Sequence, residues 1–375
     1  MKILLVSTVP YGETIVGNGY IYTNTIDSLV RRGLGFKAAA IEIHYFNVES
    51  SKSISPISIH ILKRNPLNKL LTSAAAFGVV NTETIKISSV IHCIAKSFDS
   101  VVWFGSAYDP LTVAFSRLNI PSFIFHVNDS IALYERLYLK SSWLRRWIAS
   151  AHEKRLIKSL FSHIVYVSRD DYDFSSKHYG GEKSVLLPIG VKMDSNILCS
   201  QRSQNFTVIF SGNMSYRPNV DAALYLIQEV APLMPNIKFR IVGDSPDIKI
   251  LAAARPSGNI IITGRVSSVI TELVKAGVMI VPIFDASGIK IKILEAMAVG
   301  LPVITTSHCV QSFPVTPPVL IANSPAEFAN SIQALARDDM LWMQMHNKTR
   351  DFVRHYFSWD ARTDKLLSLG GSKWP

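Results

Sequence analysis

The segment PIFDASGIKIKILEAMAVGLPVITT, residues 282–306, decides the fold prediction. A β-branched run ends near Ile283, and Asp, Ser and Gly follow as a turn. Apolar residues then recur at helical spacing to about Val299, and Gly300 and Pro302 end that pattern before a second β-branched run. Strand, turn, helix and strand within one short segment indicate a parallel sheet covered by helices.

The same alternation extends through the whole chain. In the first helical pattern, Tyr22, Ile26 and Leu29 share one face with Val30, and Gly33 is expected to end the helix. The predicted strands of the first half are 3–8, 36–43, 101–104, 122–126, 164–167 and 184–187. Those of the second half are 206–210, 237–242, 259–263, 278–283 and 302–305. The predicted fold class is therefore α/β with two doubly wound, Rossmann-like domains.

The domain boundary is expected in the polar stretch 188–205, which has no clear period. We predict an N-terminal domain of residues 1–190, a C-terminal domain of residues 191–355, and a last segment, 356–375, whose helix packs back on the first domain. Doubly wound sheets bind ligands at the carboxyl ends of their strands, so the site is predicted in a cleft onto which both sheets face.

Composition excludes several classes of protein. Of the 375 residues, 48% are apolar and 18% charged, which is typical of a globular protein and not of a disordered chain. Three distant cysteines without a CxxC pattern favour a reducing compartment. The short apolar start is expected to be a strand rather than a signal peptide, and no apolar run is long enough to predict a membrane span.

The net charge of +11 is concentrated in the first half, where 21 lysines and arginines face 14 acidic residues. Such a charge suits phosphates, nucleic acid or an anionic membrane without choosing among them. The basic residues are scattered and no nucleic-acid motif is present, so nucleic acid is not an expected partner.

The predicted helix of the opening segment places Lys292 and Glu295 one turn apart, on a stripe with Gly288. Lys290 and Lys292 lie near the helix start, where positive charge opposes the helix dipole. A bound diphosphate would reverse this cost, because backbone N–H groups and both ammonium groups would then face an anion. The alternative is a surface ion pair of little energetic value.

Two segments of the first half supply further candidates. The strand FIFH ends at His126, and Asn128 and Asp129 follow in a loop where ligand contacts belong; a structural, hydrogen-bonded histidine is the alternative. The loop after the first strand contains Gly17 and Gly19, which also fit a plain flexible turn.

The stretch from Glu135 to Lys158 combines seven basic residues with Trp143, Trp147 and other apolar residues. Such amphipathic helices lie on anionic lipid, but a solvated helix face is the alternative interpretation.

Several motifs together resemble one known family. These are SGIKIKILEAMAVGLPVITT (287–306), FSGNMSYRPNVDAALYLI (210–227), IVGDSP (241–246), ITGRV (262–266), PIGV (188–191) and FSW (357–359). In order and spacing they are similar to the retaining nucleotide-sugar glycosyltransferases of family 4, which have the GT-B fold. The resemblance is closest to a bacterial branch that makes lipopolysaccharide, capsule and other exported polysaccharides.

The resemblance implies a role for each candidate. Glu295 would bind the donor ribose hydroxyls, and the backbone of Gly264, Arg265 and Val266 the nucleobase. His126, Lys290 and Glu295 are the implied catalytic residues. The remaining implied contacts to donor sugar, phosphate or acceptor are Gly17, Gly19, Asn128, Asp129, Gly212, Asn213, Arg217, Asp285, Ser287, Gly288, Ile289 and Lys292.

The chain departs from the family pattern at two points. Ser287 stands where the family often has a glutamate, with Asp285 two residues earlier. Asn213 and about Pro218 stand where many relatives have an arginine and a lysine for the phosphates. Arg217 is the nearest substitute, with Lys290 or Lys292 sharing the task.

The predicted activity is transfer of a sugar from a nucleoside diphosphate, with UDP or GDP favoured, to the hydroxyl of a glycan or lipid-linked acceptor, with retention of configuration. No metal and no cofactor are expected, since no DxD motif ends a strand. The predicted location is cytoplasmic, with peripheral attachment to the inner face of the cell membrane left open, as is the oligomeric state. The alternatives are a nucleotide-sugar epimerase of the same fold and a catalytically degenerate nucleotide-sugar-binding subunit.

Overall fold

The computed structural model describes most of the chain at residue level. The described residues are 2–7, 11, 17–33, 38–44, 58–63, 82–104, 120–126, 162–179, 181–193, 198–199, 205–285 and 288–369. The chain divides into two compact units. Unit 1 comprises residues 1–190 and 359–375, and unit 2 comprises residues 191–358.

The described residues of unit 1 form a sheet of seven parallel strands in the order β3-β2-β1-β4-β5-β6-β7. The strands are β1 Ile3–Ser7, β2 Ala38–His44, β3 Ser58–Lys63, β4 Ser100–Phe104, β5 Ser122–His126, β6 His163–Tyr166 and β7 Ser184–Leu186. The helices between them are α1 Gly17–Arg31, α2 Thr82–Ala95 and α3 Arg169–Tyr179. β1 is central, and its Leu5 pairs with Ala40 of β2 and Val102 of β4. Residues 3–7 and 100–104 are buried, as expected for strands covered on both faces.

The described residues of unit 2 form six parallel strands in the order β10-β9-β8-β11-β12-β13. These are β8 Thr207–Ser211, β9 Lys238–Val242, β10 Ile260–Gly264, β11 Val278–Val281, β12 Val303–Thr305 and β13 Leu320–Ile321. The helices are α4 Arg217–Tyr225, α5 Ile248–Ala254, α6 Val269–Val274, α7 Ile291–Ala298, α8 Ser307–Gln311, α9 Pro325–Arg337 and α10 Asp339–Tyr356. α4 continues through one π-helical turn, Leu226–Val230, into a 3-10 turn, Ala231–Leu233.

Both sheets reverse their strand order at the same place. The second and third strands run outward on one side of the first strand, and the fourth strand pairs on its other side, so the reversal lies between β1 and β4 and between β8 and β11. This is the order of a doubly wound, Rossmann-like domain, and it places the ligand crevice at the carboxyl ends of those strands. The predicted α/β fold with two such domains is confirmed.

The last helix, α11 Trp359–Leu369, belongs to unit 1 and packs against α1. Ser28 Oγ donates to the Asp360 carboxylate at 2.8 Å, and Arg31 contacts the same oxygen at 2.7 Å. Arg32 pairs with Asp364 one turn further along. The segment after residue 358 therefore completes the unit that the N-terminal part of the chain begins.

The first helix differs from its prediction at one end. Tyr22, Ile26 and Leu29 are buried as expected, and Gly33 ends the helix with φ +69°. The helix begins already at Gly17, so Gly17 and Gly19 form its first turn and do not lie in the preceding loop. Ile21 is also buried. The helix therefore needs a turn before residue 21, which the spacing of Tyr22, Ile26 and Leu29 did not indicate.

Two strands have no counterpart in the prediction. The sequence of β3, SIHILK, alternates polar and apolar residues within a serine-rich stretch, and it pairs only with β2 at the sheet edge. β13 has only two residues, too few for a periodic signal. In the part of the chain that the structure describes, no helix combines the length and the apolar character needed to cross a membrane.

Candidate functional site

Three neighbouring strands of unit 2 have a glycine at or directly after their carboxyl ends. Gly212 follows β8, Gly243 follows β9, and Gly264 ends β10 with φ +66°. Gly212 N–H donates to Val242 O at 3.0 Å, and Gly243 N–H donates to Gly264 O at 3.1 Å. A Cβ at Gly243 would lie 1.7 Å from Gly212 O, closer than any side chain permits. The edge beside the reversal of strand order is therefore built from bare backbone.

The turn after β8 is held by Asn213. Its side-chain oxygen accepts hydrogen bonds from Ser215 N at 2.9 Å and Ser215 Oγ at 2.8 Å. Its backbone carbonyl accepts from Asn219 Nδ2 at 2.8 Å. Asn213 therefore fixes the turn, since its side chain folds back on its own loop.

Lys292 extends from α7 toward the end of β8. Its Nζ donates to Asn219 Oδ1 at 2.7 Å and lies 4.5 Å from the ring centroid of Phe210. A Cβ at Gly212 would lie 2.7 Å from the same nitrogen, so only glycine leaves room for this ammonium group. The lysine at the start of α7 and the glycine at the end of β8 thus meet at the reversal of strand order.

The surroundings of Lys292 bring its titration into the neutral range. Burial lowers the pKa of Lys292 to about 7; Cys309 and Glu295 act in the opposite direction, and Lys290 adds to the lowering. A second negative group placed beside this ammonium would stabilise its charged form.

Glu295 lies one helical turn after Lys292 and is half-buried. Burial raises the pKa of its carboxyl, and Lys292 partly opposes the shift. No described residue donates a hydrogen bond to the carboxylate. The alternative of a plain surface ion pair does not fit, because both side chains are half-buried and the Glu295 carboxylate accepts no hydrogen bond from a described residue.

The N-terminus of α7 lacks the usual side-chain cap. Lys290 occupies the cap position, and its ammonium donates to Gly288 O at 2.5 Å. Gly288 has φ +75°, which a glycine adopts at no cost. α4, which starts after β8, also has no side-chain cap. By contrast, side chains cap the other unit 2 helices, namely α5 by Asp247, α6 by Ser268, α8 by Thr306, α9 by Ser324 and α10 by Asp338.

The two uncapped helices follow β8 and β11, the two strands that flank the reversal of strand order. Both helices therefore begin at the carboxyl edge where Lys292 lies. The second residue of α4 is Pro218, which has no N–H, so α7 offers the more complete set of N–H groups there. Free N–H groups, the positive end of the helix dipole and an ammonium group together favour an anion, most strongly a phosphate.

Other predicted residues lie on the rim of this edge or apart from it. Arg265 is exposed and lies 3.8 Å from Asp244, and Val266 is half-buried. Arg217 pairs with Asp221 at 2.8 Å on the exposed face of α4. Asp285 is exposed, and Ile289 is half-buried. The buried face of α7 holds Ile293, Leu294, Ala296, Met297 and Ala298, while Ile291 is half-buried.

In unit 1, the backbone places His126 at the last position of β5. Asn128, Asp129, Ser287 and the basic stretch 135–158 lie outside the described residues. Within the described part of the chain, no three His, Cys, Asp or Glu side chains cluster in a way that would hold a metal ion.

Asn219 and Phe210 are site residues that the sequence analysis missed. Asn219 is buried near the start of α4 and connects the Asn213 turn to Lys292. A buried amide in the first turns of a helix is unusual enough to signal a hydrogen-bonding role. In the sequence, nothing distinguishes Phe210 from the other apolar residues of its strand.

Comparison with known proteins agrees with the geometry of unit 2. Residues 205–338 match the family model described as glycosyl transferases group 1, which covers most of that unit. An uncharacterized 44.6 kDa protein in the cps region of Klebsiella pneumoniae is 23% identical over 198 residues. That alignment spans 48% of this chain and 47% of the relative, about half of each.

Solved structures resemble the whole chain in fold. HepE of Anabaena, solved with UDP-glucose, is 14% identical with a TM-score of 0.67, over 98% of this chain and 100% of HepE. WaaG, a glycosyltransferase involved in lipopolysaccharide biosynthesis, is 15% identical with a TM-score of 0.61, over 99% of this chain and 100% of WaaG. The chain has the GT-B fold of two Rossmann-like domains.

Proposed function

We propose that this protein is a retaining glycosyltransferase that moves a sugar from a nucleoside diphosphate to an acceptor hydroxyl. One observation carries the proposal: Lys292, the uncapped start of α7 and the free carboxylate of Glu295 meet where the strand order of unit 2 reverses. A nucleoside diphosphate has complementary groups for all three, and the match of residues 205–338 supports the same class of donor.

The proposed position of each part of the donor follows from the charges and hydrogen-bonding groups of the site. Its diphosphate occupies the start of α7, within reach of the Lys290 and Lys292 ammonium groups and the backbone after Gly288. Its ribose hydroxyls donate to Glu295, and its base lies against the backbone of residues 264–266. His126, Asn128, Asp129, Gly17 and Gly19 of unit 1 would contact the sugar and the acceptor.

The chemical step is a substitution at the anomeric carbon of the donor. The bond from that carbon to the diphosphate oxygen breaks, and a bond to the acceptor oxygen forms on the same face. The acceptor proton passes to an oxygen of the departing diphosphate. Lys292, Lys290 and the helix start stabilise the charge that develops on the leaving group, so we propose that no divalent metal is required.

The nucleotide and the pathway rest on the similar proteins. HepE binds UDP-glucose, WaaG acts in lipopolysaccharide biosynthesis, and the Klebsiella relative lies in a cps region. We therefore propose a UDP-sugar as donor, with a GDP-sugar as the alternative. The proposed acceptor is a glycan or a lipid-linked glycan of bacterial polysaccharide synthesis.

Thermal unfolding with a panel of nucleotides tests the donor assignment. UDP, GDP, ADP and their sugars are added to the wild type, to Glu295→Ala and to the control Glu229→Ala, which changes an exposed residue. A bound nucleotide raises Tm with concentration because it binds the folded state. We expect a response from the wild type and the control, and about 10- to 100-fold weaker binding by Glu295→Ala, from the 1.5 to 3 kcal/mol of a charged hydrogen bond. Equal responses from all three proteins would refute the site.

Ser287 and Asn213 also allow a second function, binding of a nucleotide sugar without transfer. Mass spectrometry over a panel of glycan and lipid-linked acceptors distinguishes transfer from binding alone. It detects release of UDP and formation of a glycosylated acceptor. Donor binding without product for any acceptor would favour the binding function.

We also propose a cytoplasmic location with peripheral attachment to an anionic membrane through the basic stretch 135–158. About 1 kcal/mol per basic residue near the surface gives four such residues roughly a thousandfold effect on partitioning. Co-sedimentation with anionic and zwitterionic vesicles is compared for the wild type and for Arg145, Arg146, Lys154 and Arg155 changed together to Gln. Equal binding to both vesicle types, or no effect of the changes, would show a solvated helix face.

A further inference from the structure

The buried face of α11 contains a charged residue. The buried residues of this helix are Trp359, Arg362, Thr363 and Leu366, spaced as one helical stripe. Arg362 is only 4% exposed, as is Trp359 beside it. A guanidinium in the middle of an apolar stripe loses its water and needs another partner in exchange.

The described residues provide no such partner. Nε and Nη1 of Arg362 and Nε1 of Trp359 are enclosed and make no hydrogen bond. All three groups are donors, and none can accept. The guanidinium carbon lies 5.6 Å from the centroid of the Trp359 ring. The aromatic face attracts the cation but leaves its N–H groups free.

The carboxylates closest in sequence serve another contact. Asp360 and Asp364 lie on the opposite side of α11, where they pair with Arg31 and Arg32 of α1. Burial lowers the pKa of Arg362 to about 9, with no acidic group opposing the shift. The start of a helix also disfavours a positive charge and favours a negative one.

Gly190, in the chain that follows β7, packs against Trp359 and Arg362 from another side. A Cβ at Gly190 would lie 2.6 Å from the Trp359 ring and 3.0 Å from Cδ of Arg362. Glycine at this position lets the chain pack directly on the indole and the arginine stem. The donors are therefore held in place by packing before any ligand arrives.

We propose that Arg362 and Trp359 form a binding site in unit 1 for a small oxyanion, a phosphate or a carboxylate. The planar guanidinium fork matches two oxygens of such a group, and the indole N–H can supply another donor. Nε and Nη1 of Arg362 and Nε1 of Trp359 are enclosed, so an anion has to displace part of the surrounding packing to reach them, which admits only a small anion or the terminal group of a larger one. This site is made of unit 1 residues alone and shares no residue with the proposed donor site.

Thermal unfolding of the full chain tests the site in a buffer free of phosphate and carboxylate. Phosphate, acetate and chloride are titrated into the wild type, Arg362→Met, Arg362→Lys and Lys292→Met. At about tenfold excess over its dissociation constant, phosphate or acetate should raise the wild-type Tm by about 3 to 6 °C. The response to phosphate against acetate identifies which oxyanion the site prefers.

The variants separate this site from the donor site. Arg362→Met should bind the anion at least tenfold more weakly, and Arg362→Lys should weaken it less because it keeps the charge. Lys292→Met should keep the part of the anion response that Arg362→Met loses, since its change lies in the unit 2 site, which binds phosphate on its own account. Without anion, Arg362→Met should be at least as stable as the wild type, because methionine removes an unpaired buried charge.

Three results would overturn the proposal. One is an equal response of the wild type and Arg362→Met to every anion. Another is the absence of any wild-type response to phosphate and acetate. The third is a large loss of stability, or failure to fold, of Arg362→Met in anion-free buffer, which would mean that the chain itself supplies the counter-charge.

Discussion

The two sheets share a strand order but differ at their carboxyl edges. In unit 2 the strands β8, β9 and β10 meet at glycines, namely Gly212, Gly243 and Gly264. At the corresponding sequence positions of unit 1, directly after β1 and β2 and at the end of β3, the chain has Thr8, Tyr45 and Lys63. Glycine lets Lys292 approach the edge of unit 2 closely, whereas the sequence of unit 1 has no glycine at the corresponding positions. The same topology therefore carries an edge lined by glycine backbone in one unit without requiring it in the other.

Replacement of Lys292 should have the largest effect on function. Lys292→Met should lower kcat by about 100- to 1,000-fold, the usual result of removing one group that stabilises developing charge. Lys275→Met, which changes an exposed lysine of the same unit, is the control. Steady-state transfer assays measure both, and similar rates for the two variants would place the phosphate elsewhere than at the edge of unit 2.

A side chain at Gly243 should destabilise unit 2. Gly243→Ala places a methyl group against the Gly212 carbonyl and should cost about 1 to 3 kcal/mol, or about 2 to 12 °C in Tm. Gly258→Ala has open space around its Cβ and should change Tm little. Thermal denaturation followed by circular dichroism compares them. If Gly243→Ala unfolds at the same temperature as the control, the close approach of the strands is not required for stability.

Donor affinity should depend on pH through Lys292. Its ammonium is charged below the pKa of about 7 and neutral above it, and only the charged form attracts a diphosphate. The dissociation constant for a UDP-sugar, whose diphosphate has no group that titrates near neutral pH, should therefore rise about tenfold between about pH 6 and pH 8. Lys292→Arg keeps its charge over this range and should give a flat profile. Calorimetric titrations at several pH values decide, and a profile in the wild type as flat as in the arginine variant would contradict this role.

Chelation should have the smallest effect. If lysines and helix N–H groups stabilise the leaving diphosphate, EDTA should leave the transfer rate unchanged. The assay is run with EDTA and again after addition of Mg²⁺ or Mn²⁺. Loss of activity that either metal restores would show that the edge of unit 2 needs a cation besides its own ammonium groups.

Most of the fold was predictable because buried parallel strands are short, apolar and separated by helical patterns. Ser122–His126 was predicted to the residue, and most other strands to within one or two. β3 and β13 escaped because an edge strand is not buried on all sides and a two-residue strand has no period. The start of α1 shifted because burial extended the helix beyond its spaced apolar residues.

Only those residues of the candidate site that lie within one sequence motif could be predicted. Gly288, Lys290, Lys292 and Glu295 stand in one segment, in which helical spacing places Lys292 and Glu295 one turn apart after a glycine turn. Asn219 contacts Lys292 across 73 residues of sequence, and no local pattern reports such a contact. Arg362 shows the same limit, because its sequence position fits an exposed charge and only the packing against Gly190 and Trp359 shows its burial.

The assignment of α11 to unit 1 has a consequence for the order of synthesis. Domains generally fold as units while the chain leaves the ribosome. Unit 2 is one continuous segment, residues 191–358, and can fold as soon as that segment has emerged. Unit 1 is complete only once α11 has emerged, because Asp360 and Asp364 of that helix pair with arginines made more than 300 residues earlier. The first unit to be started is therefore the second to be finished, and its nascent sheet spends that interval without its last helix.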